Sequence, residues 1–144
     1  MKRKDLIAPE KYNLVSEIEQ FAHDKEKLAL LWESESGEKK KITYDQLMKN
    51  VNKTGNVFRK FGLEKGDVVL IIIPRLIEAY QVYLGALKAG LVVIPSSELL
   101  RTKDLQYRIT HGDVKAIVSY YPYVNQFAGI EETKELKRFV VGED

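Results

Sequence analysis

Val68-Val69-Leu70-Ile71-Ile72-Ile73 is an unbroken run of six aliphatic residues, entered from Gly66-Asp67 and halted at Pro74. Isoleucine makes up half of it. β-branched side chains are stiff at χ1 and suit an extended backbone. A strand that is apolar on both faces must be covered on both faces, which is the condition of a central strand in a parallel sheet. Leu76 to Ala89 follows at helical spacing, then Gly90, then a second apolar run, Leu91-Val92-Val93-Ile94, ending at Pro95. Gly90 suits the left-handed position that closes a helix. Residues 66–95 therefore read as strand, crossover helix, strand: one βαβ unit, expected to be right-handed.

The flanking chain supplies elements to pack on this unit. Asn13 to Lys25 reads as a first helix, with Asn13 as its cap and Leu14, Ile18, Phe21 and Ala22 at helical spacing. Leu28 to Glu33 and Lys39 to Thr43 read as two strands of a hairpin about the turn cluster Ser34 to Glu38. Lys39-Lys40-Lys41 reads as a solvated strand edge. Thr43-Tyr44-Asp45-Gln46 is a capping box opening a helix to about Phe61, with Leu47, Val51, Phe58 and Phe61 toward the core and Gly62 beyond its end. After Pro95 comes an irregular loop, then a helix from a Thr102 cap to about His111. Lys115 to Ser119 reads as a further parallel strand. A tyrosine-rich loop, Tyr120 to Tyr123, leads to a short helix at Val124 to Phe127, and Phe139-Val140-Val141 is a last strand. The expected fold is α/β: a mostly parallel sheet flanked by helices, preceded by a helix and a hairpin, in one domain spanning 1–144.

Several function classes are disfavoured. The chain holds 23 basic and 21 acidic residues, a net charge of +2, too balanced to imply nucleic acid. It has no cysteine, which removes disulfides, thiol catalysis and thiolate metal sites. The basic start, Met1 to Asp5, lacks an apolar segment suited to secretion, and no window reaches the about 20 apolar residues of a membrane span. A cytoplasmic location is expected. Ligands of parallel sheets gather at the carboxyl ends of the strands. There the first strand runs into Pro74-Arg75-Leu76, not the glycines a dinucleotide needs. No Walker A pattern and no Gly-x-Ser-x-Gly elbow is found. His23 and His111 lack metal-ligand spacing. Glu131-Glu132 reads as solvated surface, Tyr80 and Tyr83 as packing, and Tyr121 and Tyr123 as better placed for a ligand. The residues alone give an α/β domain without a recognisable active site.

A family resemblance adds to this. Ile42-Thr43-Tyr44-Asp45-Gln46-Leu47, Gly66-Asp67-Val68-Val69, Pro74-Arg75 with Glu78, Gly85-Ala86-Leu87-Lys88-Ala89-Gly90 and Pro95 resemble, in order and spacing, the N-terminal part of adenylate-forming acyl-CoA synthetases. Asp104, Tyr107-Arg108 and Lys115-Ala116 extend the match. The Pro-Arg-x-x-Glu and Asp-x-x-Tyr-Arg details look most like the medium-chain branch. Ile7 to Asn13 is similar to the start of bacterial methylbutyryl-CoA and acetyl-CoA synthetase-like relatives.

The resemblance implies the first α/β subdomain of a larger AMP-binding domain. It implies ATP, Mg²⁺ and CoA as the parent's cofactors and a short, branched or medium-chain carboxylate as its small-molecule partner. In such enzymes the carboxylate attacks the α-phosphate of ATP, releasing pyrophosphate, and the CoA thiol then displaces AMP. The family's Ser/Thr/Gly-rich phosphate loop ending in Pro-Lys-Gly, its adenine and ribose motifs and its catalytic lysine have no counterpart in these 144 residues. The chain is therefore expected to be an N-terminal fragment, inactive by itself, with no catalytic, ATP-binding or metal residue of its own. Ser96, Ser97 and Tyr121 are carried over as bordering the CoA path. A fragment is also expected to self-associate through its C-terminal strand. The alternative is a stand-alone, non-catalytic α/β binding or interaction module.

Overall fold

A computed structural model describes residues 7–142. The basic start at Met1 to Asp5 and the terminal Glu143-Asp144 lie outside the described residues. The aliphatic run forms β3 (Val68–Ile72), with β4 (Val92–Pro95) on one side and β5 (Val114–Tyr120) on the other, both parallel to it. β6 (Lys137–Val141) pairs parallel with β5, giving the strand order β4-β3-β5-β6. A separate antiparallel pair, β1 (Leu28–Glu33) and β2 (Lys39–Thr43), forms the expected hairpin. Lys39 and Lys40 pair with Glu33 and Glu38 on its exposed surface.

β3 divides two apolar layers. Val69, Ile71 and Ile73 face α2 (Tyr44–Lys60) and α3 (Ile77–Ala89), meeting Phe58, Val82 and Ala86. Leu70 and Ile72 point the other way, onto Leu105 and Ile109 of α4 (Thr102–His111) and onto Phe127 and Ile130. The run is apolar throughout because each alternate side chain enters a different core. The register slips between Val68 and Val69 where β3 meets β5. Val114 and Ile117, three apart, consequently join the same layer.

The local signals act as anticipated at α2. Gln46 N–H donates to Thr43 Oγ1 (3.3 Å) and Thr43 N–H donates to Gln46 Oε1 (3.0 Å). Gly90 closes α3 at φ 83°. The Gly66-Asp67 pair ties the start of β3 to the end of α3 and to the preceding turn: Gly66 N–H donates to Gly90 O (2.9 Å), and Asp67 Oδ2 accepts from Glu64 N–H (2.8 Å).

Four expectations are corrected. Residues 13–25 do not form one helix. A single α-turn, α1 (Ser16–Glu19), passes into a 3₁₀ turn at Gln20–His23. Asp24 then ends the helical path, its carboxylate accepting from Glu26 N–H (3.1 Å) in an Asx-type turn. Asn13 accepts from Val15 N–H (3.0 Å) and turns its amide to a different helix, donating to Leu87 O (3.1 Å) at the end of α3. Val15, absent from the anticipated stripe, is the fully buried anchor, whereas Leu14 is exposed. Phe61 lies past the end of α2 and is 56% exposed, packing edge-on against Phe139 rather than entering the core. Thr102 is the first residue of α4, not its cap; the flanking Arg101 N–H donates to the Asp104 carboxylate (3.3 Å). The segment after β5 is a 3₁₀ turn from Tyr121 to Phe127, so the tyrosines belong to a regular turn with Pro122 near its start.

α2 and α3 cross at two glycines. A Cβ on Gly85 would lie 2.7 Å from Thr54 Cβ, and one on Gly55 3.3 Å from Gly85 O. Thr54 Oγ1 is fixed on Asn50 O (3.0 Å), so the obstructing atom is not the free end of a flexible chain. Alanine would gain about 0.8–1 kcal/mol in helix propensity. Overpacking at a fixed contact costs about 1–3 kcal/mol, so the clash prevails. Gly85→Ala is expected to lower the melting temperature by several degrees; a variant melting at or above the parent would show that the helices separate at little cost.

Candidate functional site

The strand order sets the place. The chain leaves β3 toward β4, then returns past β3 to β5, so the connections at the carboxyl ends of β3, β4 and β5 depart in opposite directions. Open parallel sheets hold ligands at such a reversal. Three segments meet there: Ile73-Pro74-Arg75 after β3, Ser96-Ser97-Glu98 after β4, and the turn from Tyr121 after β5.

Beside this reversal, on the β3–β4 side of β3, opens a cleft of about 630 Å³ lined by Pro74, Arg75, Tyr80, Tyr83, Ser97 and Glu98 among others. Proline fixes the exit from β3 and has no N–H to continue the ladder. The exit is also held from outside: the Trp32 indole N–H in β1 donates to Arg75 O (2.8 Å). This bond ties the hairpin to the end of the central strand. Arg75 and Glu98 contribute one cation and one anion to the cleft, and neither forms an ion pair among the described residues.

The carried-over residues are not equivalent. Ser97 lines the cleft, and its Oγ accepts from Leu99 N–H (3.2 Å) to shape the loop. Ser96 extends the ladder, its N–H donating to Ile71 O (2.9 Å), while its buried hydroxyl has no hydrogen-bond partner among the described residues. Tyr121 lies beyond β5, on the far side of β3, and does not line this cleft. Gln126 joins the two sides: its Nε2 donates to Glu98 O (2.9 Å), and its buried Oε1 is unpartnered among the described residues.

Sequence reasoning missed Arg75, Glu98 and Gln126 as site residues and treated Tyr80 and Tyr83 as packing alone. Tyr83 does pack on the core, yet both rings also border the cleft. The available signal was position: the first turns of a helix entered directly from the carboxyl end of a central strand must border that end. Among the described residues no group of three histidine or carboxylate side chains is placed to hold a metal, and no helix is long and apolar enough to cross a membrane.

Burial raises the Tyr83 phenol above the ordinary tyrosine pKa of 10.0. The folded state disfavours the phenolate, so the corresponding stability is present below the unfolded pKa and is lost as pH rises through the folded one. Phenolate absorbance of the parent minus that of Tyr83→Phe is expected to appear only above the ordinary tyrosine range. A difference signal centred at or below that range would place Tyr83 in open solvent.

The family model described as "AMP-binding enzyme" matches residues 18–142. An uncharacterized acyl-CoA ligase of Bacillus subtilis (strain 168), YtcI, is 46% identical over 144 residues, covering 100% of this chain and 27% of the relative. The mitochondrial acyl-coenzyme A synthetase ACSM5 of Rattus norvegicus is 32% identical over 105 residues, covering 72% of this chain and 18% of the relative. The crystal structure of ATP-bound MatB from Rhodopseudomonas palustris superposes with a TM-score of 0.76 at 28% identity, covering 90% of this chain and 25% of that one. The chain thus spans about a quarter or less of the length of these proteins.

Proposed function

Because the chain belongs to the AMP-binding enzyme family, we propose that it forms the first α/β subdomain of an ATP-dependent acyl-CoA ligase. The overall reaction joins a carboxylate to CoA at the expense of ATP, yielding acyl-CoA, AMP and pyrophosphate. The observation that carries this reading is the 46% identity, along all 144 residues, to a protein named as an acyl-CoA ligase. The Pro74-Arg75-Leu76-Ile77-Glu78 and Asp104 to Arg108 segments, which resemble the medium-chain branch, favour short, branched or medium-chain acids. The ATP-bound MatB neighbour favours ATP. A cytoplasmic location belongs to the same reading and suits a chain without cysteine.

Residues 1–144 do not fit Mg²⁺-ATP by themselves. They include no Ser/Thr/Gly-rich loop ending in Pro-Lys-Gly. The described residues offer no metal-binding cluster, and Arg75 is the one cation lining the cleft. Phosphoryl chemistry needs concentrated positive charge or oriented N–H groups around the phosphates. No chemical step is therefore assigned to this chain. Its part is architectural: Ser96, Ser97 and Tyr121 are proposed to border the path of CoA, with Pro74 and the Trp32–Arg75 bond holding the exit of β3 beside them.

Two arms test the reading. Protein made from the whole reading frame is expected to release pyrophosphate with ATP, CoA and a short, branched or medium-chain acid. The 144-residue chain is expected to release none and to show no micromolar heat of binding with Mg²⁺-ATP. Turnover by the short chain would overturn its assignment as inactive, and failure of the whole frame with every acid would overturn the ligase reading.

Self-association of the 144-residue chain through β6 is a further part of this proposal. β6 is a sheet edge whose Val140 is half-exposed, and unpaired edges recruit other strands. Sedimentation at tens of micromolar is expected to show assemblies that Val140→Lys disperses; a monomer at every concentration would remove this interface.

A further inference from the structure

Charge is balanced over the whole chain but not along it. Between Asp45 and Glu64 there is no acidic residue, while Lys49, Lys53, Arg59 and Lys60 supply cations. This segment is α2 and the turn that follows it. Leu47, Val51 and Phe58 fix one side of α2 on the core. The helical period therefore sets Lys49, Lys53, Val57 and Lys60 along the opposite side, and all four are exposed. Lys49 pairs with Asp45 (2.7 Å), whereas Lys53 and Lys60 have no carboxylate partner among the described residues. Two apolar side chains stand among these cations: Val57 is 40% exposed and Phe61 56%. Phe61 is held in place by its edge-on contact with Phe139 of β6, ring centres 5.5 Å apart. Lys137 opens β6 on the same side of the sheet as Phe139. Its Cε would lie 4.0 Å from a Cβ on Gly62, beside Phe61, and it too is exposed without a carboxylate partner among the described residues.

We propose that this face docks on an anionic phospholipid surface, with Lys53, Lys60 and Lys137 at the headgroups and Phe61 and Val57 seated in the interfacial layer. Charge complementarity selects the sign of the partner, because an anionic leaflet attracts each lysine held near it. The apolar pair selects lipid. An aromatic ring flanked by lysines suits the boundary between headgroups and acyl chains, and lysine stems lie along apolar surface while their ammonium groups reach outward. A nucleic-acid strand instead calls for flat rings on which successive bases stack, and one ring beside an aliphatic side chain does not provide them. α2 stays folded on the core throughout, since its apolar side remains buried. The contact is peripheral: no helix among the described residues is long and apolar enough to cross a membrane. It involves neither ATP nor CoA, so it stands or falls apart from the ligase reading.

The 144-residue chain is sedimented with vesicles of phosphatidylcholine alone and with vesicles holding an equal share of phosphatidylglycerol. Binding is expected with the mixed vesicles only. It is expected to fade as added salt shortens the screening length from about 10 Å at about 0.1 M to about 3 Å at about 1 M. Reversing two exposed charges, Lys53→Glu with Lys60→Glu, is expected to weaken binding about tenfold or more while circular dichroism stays that of the parent. Phe61→Trp is expected to add an emission that shifts to the blue on the mixed vesicles. Equal sedimentation with both vesicles, binding unchanged by the double reversal, or an introduced indole whose emission does not shift would overturn the proposal. Tighter binding to a single-stranded oligonucleotide than to the mixed vesicles would assign the face to nucleic acid and overturn it as well. Should the double reversal fail to fold, Lys53→Gln with Lys60→Gln and the salt series decide it.

Discussion

Leu70, Ile71 and Ile72 are wholly withdrawn from solvent, on a backbone whose neighbours pair it on both edges. Such a strand tolerates no exposed side. One layer of helices must cover its odd-numbered side chains and another its even-numbered ones, and the two apolar clusters on either side of β3 are that requirement met. The crossing of α2 and α3 follows from it. Both helices must reach the same face of a narrow sheet, and glycines at 55 and 85 permit the approach. Burial of this kind contributes roughly 25 cal/mol for each Å² of apolar surface removed from water, so the central strand dominates the folding energy more than any ion pair seen here.

The hairpin is coupled to this core more lightly. Ala29, Leu30 and Ile42 pack on the α2 layer beside Val15 and Val51, and the indole of Trp32 bonds the exit of β3. The ion pairs of the hairpin are exposed, where such pairs contribute little. Its position nevertheless matters near the site, because Ala29 and Leu30, which pack on the α2 layer, also wall a second, apolar cleft of about 370 Å³ that shares Tyr80 and Tyr83 with the first. A packing decision in one layer thereby creates a cavity beside the carboxyl ends of another.

Much of the site was hidden from sequence reasoning for a definable reason. Pro74, Pro95 and the strand ends were legible because punctuation by proline is local. Arg75, Glu98 and Gln126 were not, because they are ordinary surface residues by type, and only the strand order brings the loops after β4 and β5 to either side of β3. Tyr80 and Tyr83 looked like packing residues and are; what the sequence could not show is that one face of the same rings borders open space. Ser96 and Ser97, adjacent in the chain, part company in space, one continuing the ladder and the other turning into the cleft.

The sequence by itself determined the elements whose cause is local or periodic: the strand from Val68, the capping box at Thr43, the left-handed close at Gly90, and the family to which their spacing points. It determined these because side-chain shape, backbone freedom and apolar period act within a few residues. The tertiary structure decided what depends on partners distant in the chain. Asn13 caps a helix some seventy residues away instead of its own, Phe61 meets an edge strand instead of the core, and an indole in the hairpin fixes the turn after β3. Each is a choice among several locally satisfactory bonds, settled only when folding brings one acceptor or ring within reach.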